Sequence, residues 1–231
     1  MNLFNTSDKL FDLIETNPNL LPVLNRFGIR PGFRDKTVAD ICREEGINEA
    51  FFLALVNTYH NPDYFPEEEL LGFSPLLIIE YLRKTHAYYI DYFLPRMETL
   101  LDRMAGRSPE NNRDMKMILS FYEKYKRELL LHIRDEEENV FPAVVGFVKD
   151  RESQGLNHAA LSFEKEHSNV EMKLSDLKTL IVKYVTPSYD DNDFYEFLSA
   201  LYRFEKDIID HARIEDKILV PQIRGFAGSG R

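Results

Sequence analysis

Four histidines stand at positions where the helical periodicity of this sequence favours an apolar, core-facing residue, and two of them are followed four residues later by a glutamate. The six residues are His86, His132, Glu136, His167, His211 and Glu215. Residues at i and i+4 lie one turn apart on the same side of a helix, so each His–Glu pair presents an imidazole and a carboxylate to the same interior. This spacing predicts a buried metal site.

The two carboxylates weigh most in that prediction. An unpaired buried carboxylate costs several kcal/mol or is neutralised through a raised pKa. No Lys or Arg stands on the apolar faces of these segments to compensate the charge. A single histidine on an apolar face is more often a core residue with one hydrogen bond, but six such residues at one level favour a bound cation.

The ligand types restrict the choice of metal. Six nitrogen and oxygen side chains exceed the needs of one tetrahedral zinc, and calcium and magnesium prefer shells made only of oxygen. Four imidazoles and two bridging carboxylates suit two first-row ions with a shared oxo or hydroxo group, and leave a position for O₂ or NO. We therefore expect a bridged di-iron centre, with manganese or a mixed pair as the alternative.

Four long amphipathic segments carry the histidines, and short polar connections separate them. The first begins with a predicted cap at Ser74, followed by a proline, and places Leu82, His86 and Ile90 on one face. Such segments predict an all-α fold, an up-down-up-down four-helix bundle. Each histidine lies about 26–32 Å from the same end of the bundle at 1.5 Å per residue, so the four imidazoles can share one layer.

A shorter helical piece precedes the bundle. Segment 61–73 has two prolines and an acidic run and is interpreted as a linker. Thr37 and Asn48 are predicted helix caps within the preceding piece. We therefore predict a small helical N-terminal domain at 1–62 and a bundle at 74–222.

Composition excludes several classes of function. A formal net charge of −10 disfavours nucleic acid as a partner. The N-terminus carries acidic residues and has no basic region, so we do not expect a secretory signal. The sequence contains no run of about 18 apolar residues, so we do not expect a membrane span. The single cysteine, Cys42, excludes an intrachain disulfide framework. We expect a soluble, cytoplasmic protein.

With these residues in view, the segment from about 74 to 222 resembles the hemerythrin-like (HHE cation-binding) family, closest to its di-iron repair-of-iron-centres branch. The matching stretches are YLRKTHAYY, HIRDEEENVFP, EKEHSNVEMKL and HARIEDKILVP. The resemblance implies four terminal iron ligands, His86, His132, His167 and His211. It also implies two bridging ligands, Glu136 and Glu215.

The same branch has further carboxylates close to the iron pair. By resemblance, Glu128 and Glu166 are candidates for proton transfer or ligand exchange, and the alternative for both is a solvated acid. Glu137 and Glu138 are interpreted as surface charge. The first sixty residues are similar to the small N-terminal domain of that branch, but segment 28–32 reads GIRPG where the family usually has a cysteine pair. A thiol-based role for this domain is therefore not expected.

The resemblance implies a di-iron protein of the nitrosative and oxidative stress response that helps to restore iron–sulfur centres. Small diatomic molecules and iron–sulfur proteins are the expected partners. Three alternatives remain: reversible binding or sensing of O₂ or NO, reduction of NO or peroxide by the same ions, and a purely structural metal.

Overall fold

A computed structural model describes residues 2–109, 112–150, 172–184 and 191–229 of the protein. Apart from turns and short connections these residues are helical, and the β pairing recorded among them is one isolated bridge between Lys9 and Thr37. The prediction of an all-α fold is confirmed. Among the described helices, none combines the length and apolar character that crossing a bilayer would need.

Five short α-helices and one 3₁₀ helix, Pro18–Leu20, come before the bundle. The α-helices are α1 Leu10–Thr16, α2 Leu21–Arg26, α3 Val38–Glu45, α4 Glu49–His60 and α5 Glu67–Leu71. The predicted caps are confirmed, because Thr37 Oγ1 accepts the backbone N–H of Asp40 at 3.2 Å and Asn48 Oδ1 accepts that of Phe51 at 2.9 Å. Each cap satisfies an N–H group that has no partner inside its own helix. The α5 helix lies inside the segment interpreted as a linker, and its Leu70 is fully buried.

After α5, the described residues form four helical segments, named helices A to D. Helix A comprises α6 Pro75–Tyr88, a π-helical turn Tyr89–Phe93 and α7 Leu94–Arg107. Helix B comprises α8 Arg113–Asp135, a π-helical turn Glu136–Val140 and α9 Phe141–Asp150. Helix C is described over 172–184 as α10. Helix D comprises α11 Asp191–Ile214, a π-helical turn Glu215–Leu219 and α12 Val220–Ser229.

Helices A and D run in opposite directions. Near the start of helix A, His86 Nε2 lies 3.2 Å from Nε2 of His211, and at its end Arg107 pairs with Asp193 at 2.7 Å. Residue numbers therefore rise along one helix as they fall along the other. This is the alternation that an up-down bundle requires.

The three π-helical turns share a sequence cause. A proline follows each turn by two residues, at Pro95, Pro142 and Pro221. Proline has no N–H and its ring clashes with the carbonyl four residues earlier, whereas a wider i→i+5 turn accommodates it. Two of the turns begin at Glu136 and Glu215, so the wide turns occur where the predicted ligands lie.

The apolar core divides into two clusters. The first joins α1 to α5 to one end of helices A, B and D, and the second fills the remainder of the described bundle. On helix A, Leu82 belongs to the first cluster, Tyr89 to the second, and His86 lies between them. The core face predicted for this helix was wrong at Ile90, which is 41% exposed, because Tyr89 occupies the interior position instead.

Candidate metal centre

Four of the six predicted ligands lie together between the two apolar clusters. His86, Glu136, His211 and Glu215 come from helices A, B and D, and each offers one ligand atom within 4.8 Å of all the others. All four are buried, with Glu215 fully shielded from water. The bundle therefore collects two imidazoles and two carboxylates in a single water-poor site.

The spacing of these atoms is that of ligands around one ion. His211 Nε2 lies 3.2 Å from His86 Nε2 and 3.0 Å from Glu215 Oε1. Two donors that are each about 2.1 Å from an ion, at about 90–110° to one another, lie about 3.0–3.4 Å apart. Nitrogen and oxygen donors of this kind suit first-row divalent metals. The residues present therefore fit a metal ion.

Glu136 faces two histidines at once. Its Oε2 lies 3.2 Å from Nε2 of His86 on helix A, and its Oε1 lies 3.3 Å from Nε2 of His132 on its own helix. The two carboxylate oxygens are thus divided between two imidazoles. A carboxylate that bridges two ions requires this division.

Glu137 orients His86 from the side away from the cluster. Because a carboxylate only accepts, His86 Nδ1–H donates to Glu137 Oε1 at 2.8 Å, and Arg83 Nε–H donates to Glu137 Oε2 at 3.0 Å. Such an acceptor fixes the tautomer and the ring orientation of a ligating histidine. The interpretation of Glu137 as surface charge was wrong. That of Glu138 is confirmed, since its exposed carboxylate pairs with Arg134.

The electrostatics of the cluster favour a positive charge. Burial lowers the pKa of the His86 imidazole, but hydrogen bonds to Glu136 and Glu137 outweigh burial and raise that pKa to about 9. Without metal, the imidazole therefore holds a proton at neutral pH and balances the nearby carboxylates. A metal binds the neutral imidazole, so metal binding would displace this proton.

Aromatic rings fix the two clustered imidazoles. His86 stacks on Phe141 with ring centroids 5.6 Å apart and an interplanar angle of 8°. His211 meets Tyr89 edge-on, with centroids 5.6 Å apart and an angle of 73°. Phe141 and Tyr89 are fully buried, so the walls of the site are largely apolar.

The remaining predicted residues lie elsewhere or outside the described residues. Glu128 is partly buried and forms an ion pair with Lys173 of helix C. It is not part of the four-residue cluster, and a role for it near the metal stays a prediction. His167 and Glu166 lie outside the described residues.

Comparison with known proteins places this centre in a family. Residues 77–223, well over half of the chain, match the model of the hemerythrin HHE cation binding domain. The chain belongs to this hemerythrin family. Its matched range contains all six predicted ligands, and the domain it identifies is one that binds metal cations. The buried His/Glu cluster is the place in this hemerythrin domain that could hold such a cation.

One curated relative carries a functional name. Over 142 residues this hemerythrin-family chain is 18% identical to the iron-sulfur cluster repair protein ScdA of Staphylococcus haemolyticus (strain JCSC1435). The aligned region covers 62% of this chain and 64% of the relative. The chain thus spans less than two thirds of the length of the curated relative it matches.

Proposed function

We propose that this protein is a non-haem di-iron protein of the nitrosative and oxidative stress response that takes part in repairing iron–sulfur centres in the cytoplasm. The observation that carries the proposal is the buried cluster of two imidazoles and two carboxylates, spaced as the ligands of a metal. The name of the aligned relative, an iron-sulfur cluster repair protein, supports the proposed role in repair.

Each ligand would have a role under this proposal. His86, His132, His167 and His211 would be terminal ligands of the two ions, and Glu136 and Glu215 would be the ligands that the ions share. When bound, iron supplies one-electron chemistry and an open position for a diatomic molecule such as NO or O₂. Manganese or a mixed pair is the alternative occupant. Glu137 keeps His86 directed at the ion, and the apolar walls exclude water.

The bridging carboxylates suit a protein that gives up its iron. A carboxylate has two oxygens and would supply a ligand to one ion or to two. Glu136 divides its oxygens between His86 and His132, so it is placed to serve either arrangement. Iron–sulfur proteins with damaged clusters are the proposed recipients.

A repair assay tests the proposal. The iron-loaded protein, with about two irons per chain by metal analysis, is incubated with an iron–sulfur enzyme whose cluster has been damaged by NO. We expect recovery of that enzyme to exceed the recovery given by the same amount of free ferrous iron. Glu138→Ala should repair normally, whereas Glu215→Ala should not. Recovery no better than with free iron would contradict the repair function.

The structure also gives some support to a second candidate, reversible binding or sensing of O₂ or NO. A carrier favours a dry site, and the clustered histidines are buried against the apolar rings of Phe141 and Tyr89. A spectroscopic titration with NO separates the candidates, because a sensor binds and releases NO without transferring iron. Consumption of NO or peroxide in large excess over iron would instead identify an enzyme.

A further inference from the structure

A buried arginine reaches from the N-terminal helices into the bundle. Arg26 is the last residue of α2, and its side chain is fully shielded from water. Its guanidinium forms an ion pair with Asp207 of helix D, with Nη2 2.5 Å from Oδ2. Arginine remains charged in proteins, so the fold must offer it a compensating partner at this depth.

Tyrosines enclose the rest of this guanidinium. Nη1 donates to the hydroxyl oxygens of Tyr59 and Tyr81, at 3.3 Å in each case. The guanidinium carbon lies 5.1 Å from the ring centroid of Tyr88 and 5.9 Å from that of Tyr89. Arginine presents a planar fork, and aromatic faces attract it when they lie within about 6 Å. These contacts hold Arg26 in one orientation.

The same aspartate also holds Tyr89, which touches a candidate metal ligand. The Tyr89 hydroxyl donates to Asp207 Oδ2 at 2.7 Å, and the Tyr89 ring packs edge-on against the His211 ring. An unbroken series of contacts therefore runs from α2 to the His/Glu cluster.

Other contacts between the two parts of the chain take a different form. Arg213 donates to the backbone carbonyl of Pro62 at 3.1 Å, and Lys206 donates to that of Tyr59 at 2.8 Å. Both cationic side chains are partly exposed, and both bond a backbone carbonyl, which any residue would offer. Contacts of this kind would serve to attach the N-terminal helices. The buried Arg26–Asp207 pair differs, because Asp207 also bonds Tyr89, whose ring packs against His211.

We propose that Arg26 is a positioning residue for the metal centre and slows the loss of metal from it. By fixing Asp207, it holds the Tyr89 ring against His211 and so keeps that ligand directed at the ion. The inference rests on the proposed metal site. It gives the N-terminal helices a role that needs no cysteine pair.

Metal release measures this role directly. Loss of a group that orients a metal ligand typically weakens metal binding by about 10–100-fold. For the iron-loaded protein, mixed with a ferrous chelator, we expect Arg26→Met to release iron about tenfold faster than wild type. Tyr89→Phe keeps the ring and removes only the hydroxyl, and should speed release to a similar degree. Arg26→Lys keeps the charge without the planar fork and should be intermediate.

A double-mutant cycle tests whether the two residues act through one another. If they do, Arg26→Met combined with Tyr89→Phe should release iron no faster than either single variant. The visible absorption bands of the iron-loaded protein should shift in the same direction in both single variants. A residue that only attached the N-terminal helices would leave those bands unchanged.

Matched controls keep the result interpretable. Arg213→Gln removes an exposed contact to the N-terminal part and should release iron at the wild-type rate. Melting temperatures of the metal-free variants identify loss of folding, and Tyr89→Phe preserves the test if Arg26→Met does not fold.

Two results would overturn the inference: release from Tyr89→Phe within twofold of wild type, or effects of the two substitutions that multiply. The assay contains no damaged cluster, so a protein that fails in repair but shows the coupled release would contradict only the proposed function. Normal repair with unchanged release would contradict only the role of Arg26.

Discussion

Two buried charge clusters lie one helical turn apart on helix D, and they are compensated in different ways. Asp207 faces the guanidinium of Arg26, a cation that belongs to the chain itself. His211 and Glu215 belong to a cluster whose four members are imidazoles and carboxylates, without a fixed cation among them. A charge in a low-dielectric interior needs a partner in both cases. The first partner is permanent, and the second is a proton or a metal that can leave.

This difference explains how one short stretch of helix can serve both stability and chemistry. A permanent partner gives a rigid contact, which suits the junction with the N-terminal helices. An exchangeable partner lets the charge state of the site change, which suits metal binding and release. Tyr89 touches both clusters, through its hydroxyl on Asp207 and its ring on His211.

The strongest test removes a ligand from the exchangeable cluster. Glu215→Ala deletes a fully buried carboxylate, and we expect metal binding to weaken by well over 100-fold, beyond the usual range for groups outside the ligand set. Metal analysis after dialysis measures the effect. Glu138→Ala is the matched control and should keep its metal. Equal metal content in the two variants would refute the assignment of Glu215.

Removing the permanent cation should lower the free energy of unfolding and leave the number of bound metal ions unchanged. Arg26→Met leaves Asp207 without its cation, and breaking such a buried pair costs roughly 3–5 kcal/mol of unfolding free energy. Urea unfolding of the metal-free protein measures the loss. Arg26→Met with Asp207→Leu should recover part of it, because no buried charge then remains uncompensated. A double variant less stable than the single one would show that charge compensation is not the cause.

The exchangeable cluster should make the metal-free protein sensitive to pH. The pKa of His86 is raised from 6.5 to about 9, so its stabilising contribution is complete below pH 6.5 and is lost as pH rises through 9. The change amounts to about 3 kcal/mol at most. Urea unfolding with a chelator present measures the free energy of unfolding at pH 6.5 and pH 9.5. The loss of stability between these pH values should be smaller by this amount in His86→Asn. An equal loss in that variant would show that other groups cause the pH dependence.

The smallest expected effect concerns the group that orients His86. Glu137→Gln keeps the size of the side chain but weakens its hold on His86 Nδ1–H and on Arg83. We expect metal affinity to fall about tenfold, the lower end for such groups. Competition with a chelator of known affinity measures the change. Glu138→Gln, one residue further along, should have no effect, and equal losses in the two would indicate only a general influence of surface charge.

Local periodicity was sufficient to predict the fold and four residues that the structure brings together in one buried cluster. His86, Glu136, His211 and Glu215 each replace an apolar residue on a core face, and a helix converts that spacing directly into position. The π-helical turns also have a local signal, the recurring proline. The sequence shows where these prolines stand, but only the structure shows that the helix widens before each of them to avoid a clash with the proline ring.

The contacts between distant segments could not be read in the same way. Glu137 occupies a solvent-side position of helix B, and its role depends on His86, which lies 51 residues earlier. Arg26 ends a short helix, as many surface arginines do, and its partner Asp207 is 181 residues away. No pattern within a helix encodes such a pairing, because it arises only when the N-terminal helices pack against helix D.

The continuous apolar core has a practical consequence for shortened or recombined versions of this protein. Side chains from the N-terminal helices and from the metal end of helices A, B and D pack into one cluster. A bundle excised at residue 74 would therefore expose apolar side chains at the end that lies next to the His/Glu cluster. A design that moves this cluster into another scaffold must include, or replace, the apolar side chains of the first seventy residues that cover this end of the bundle.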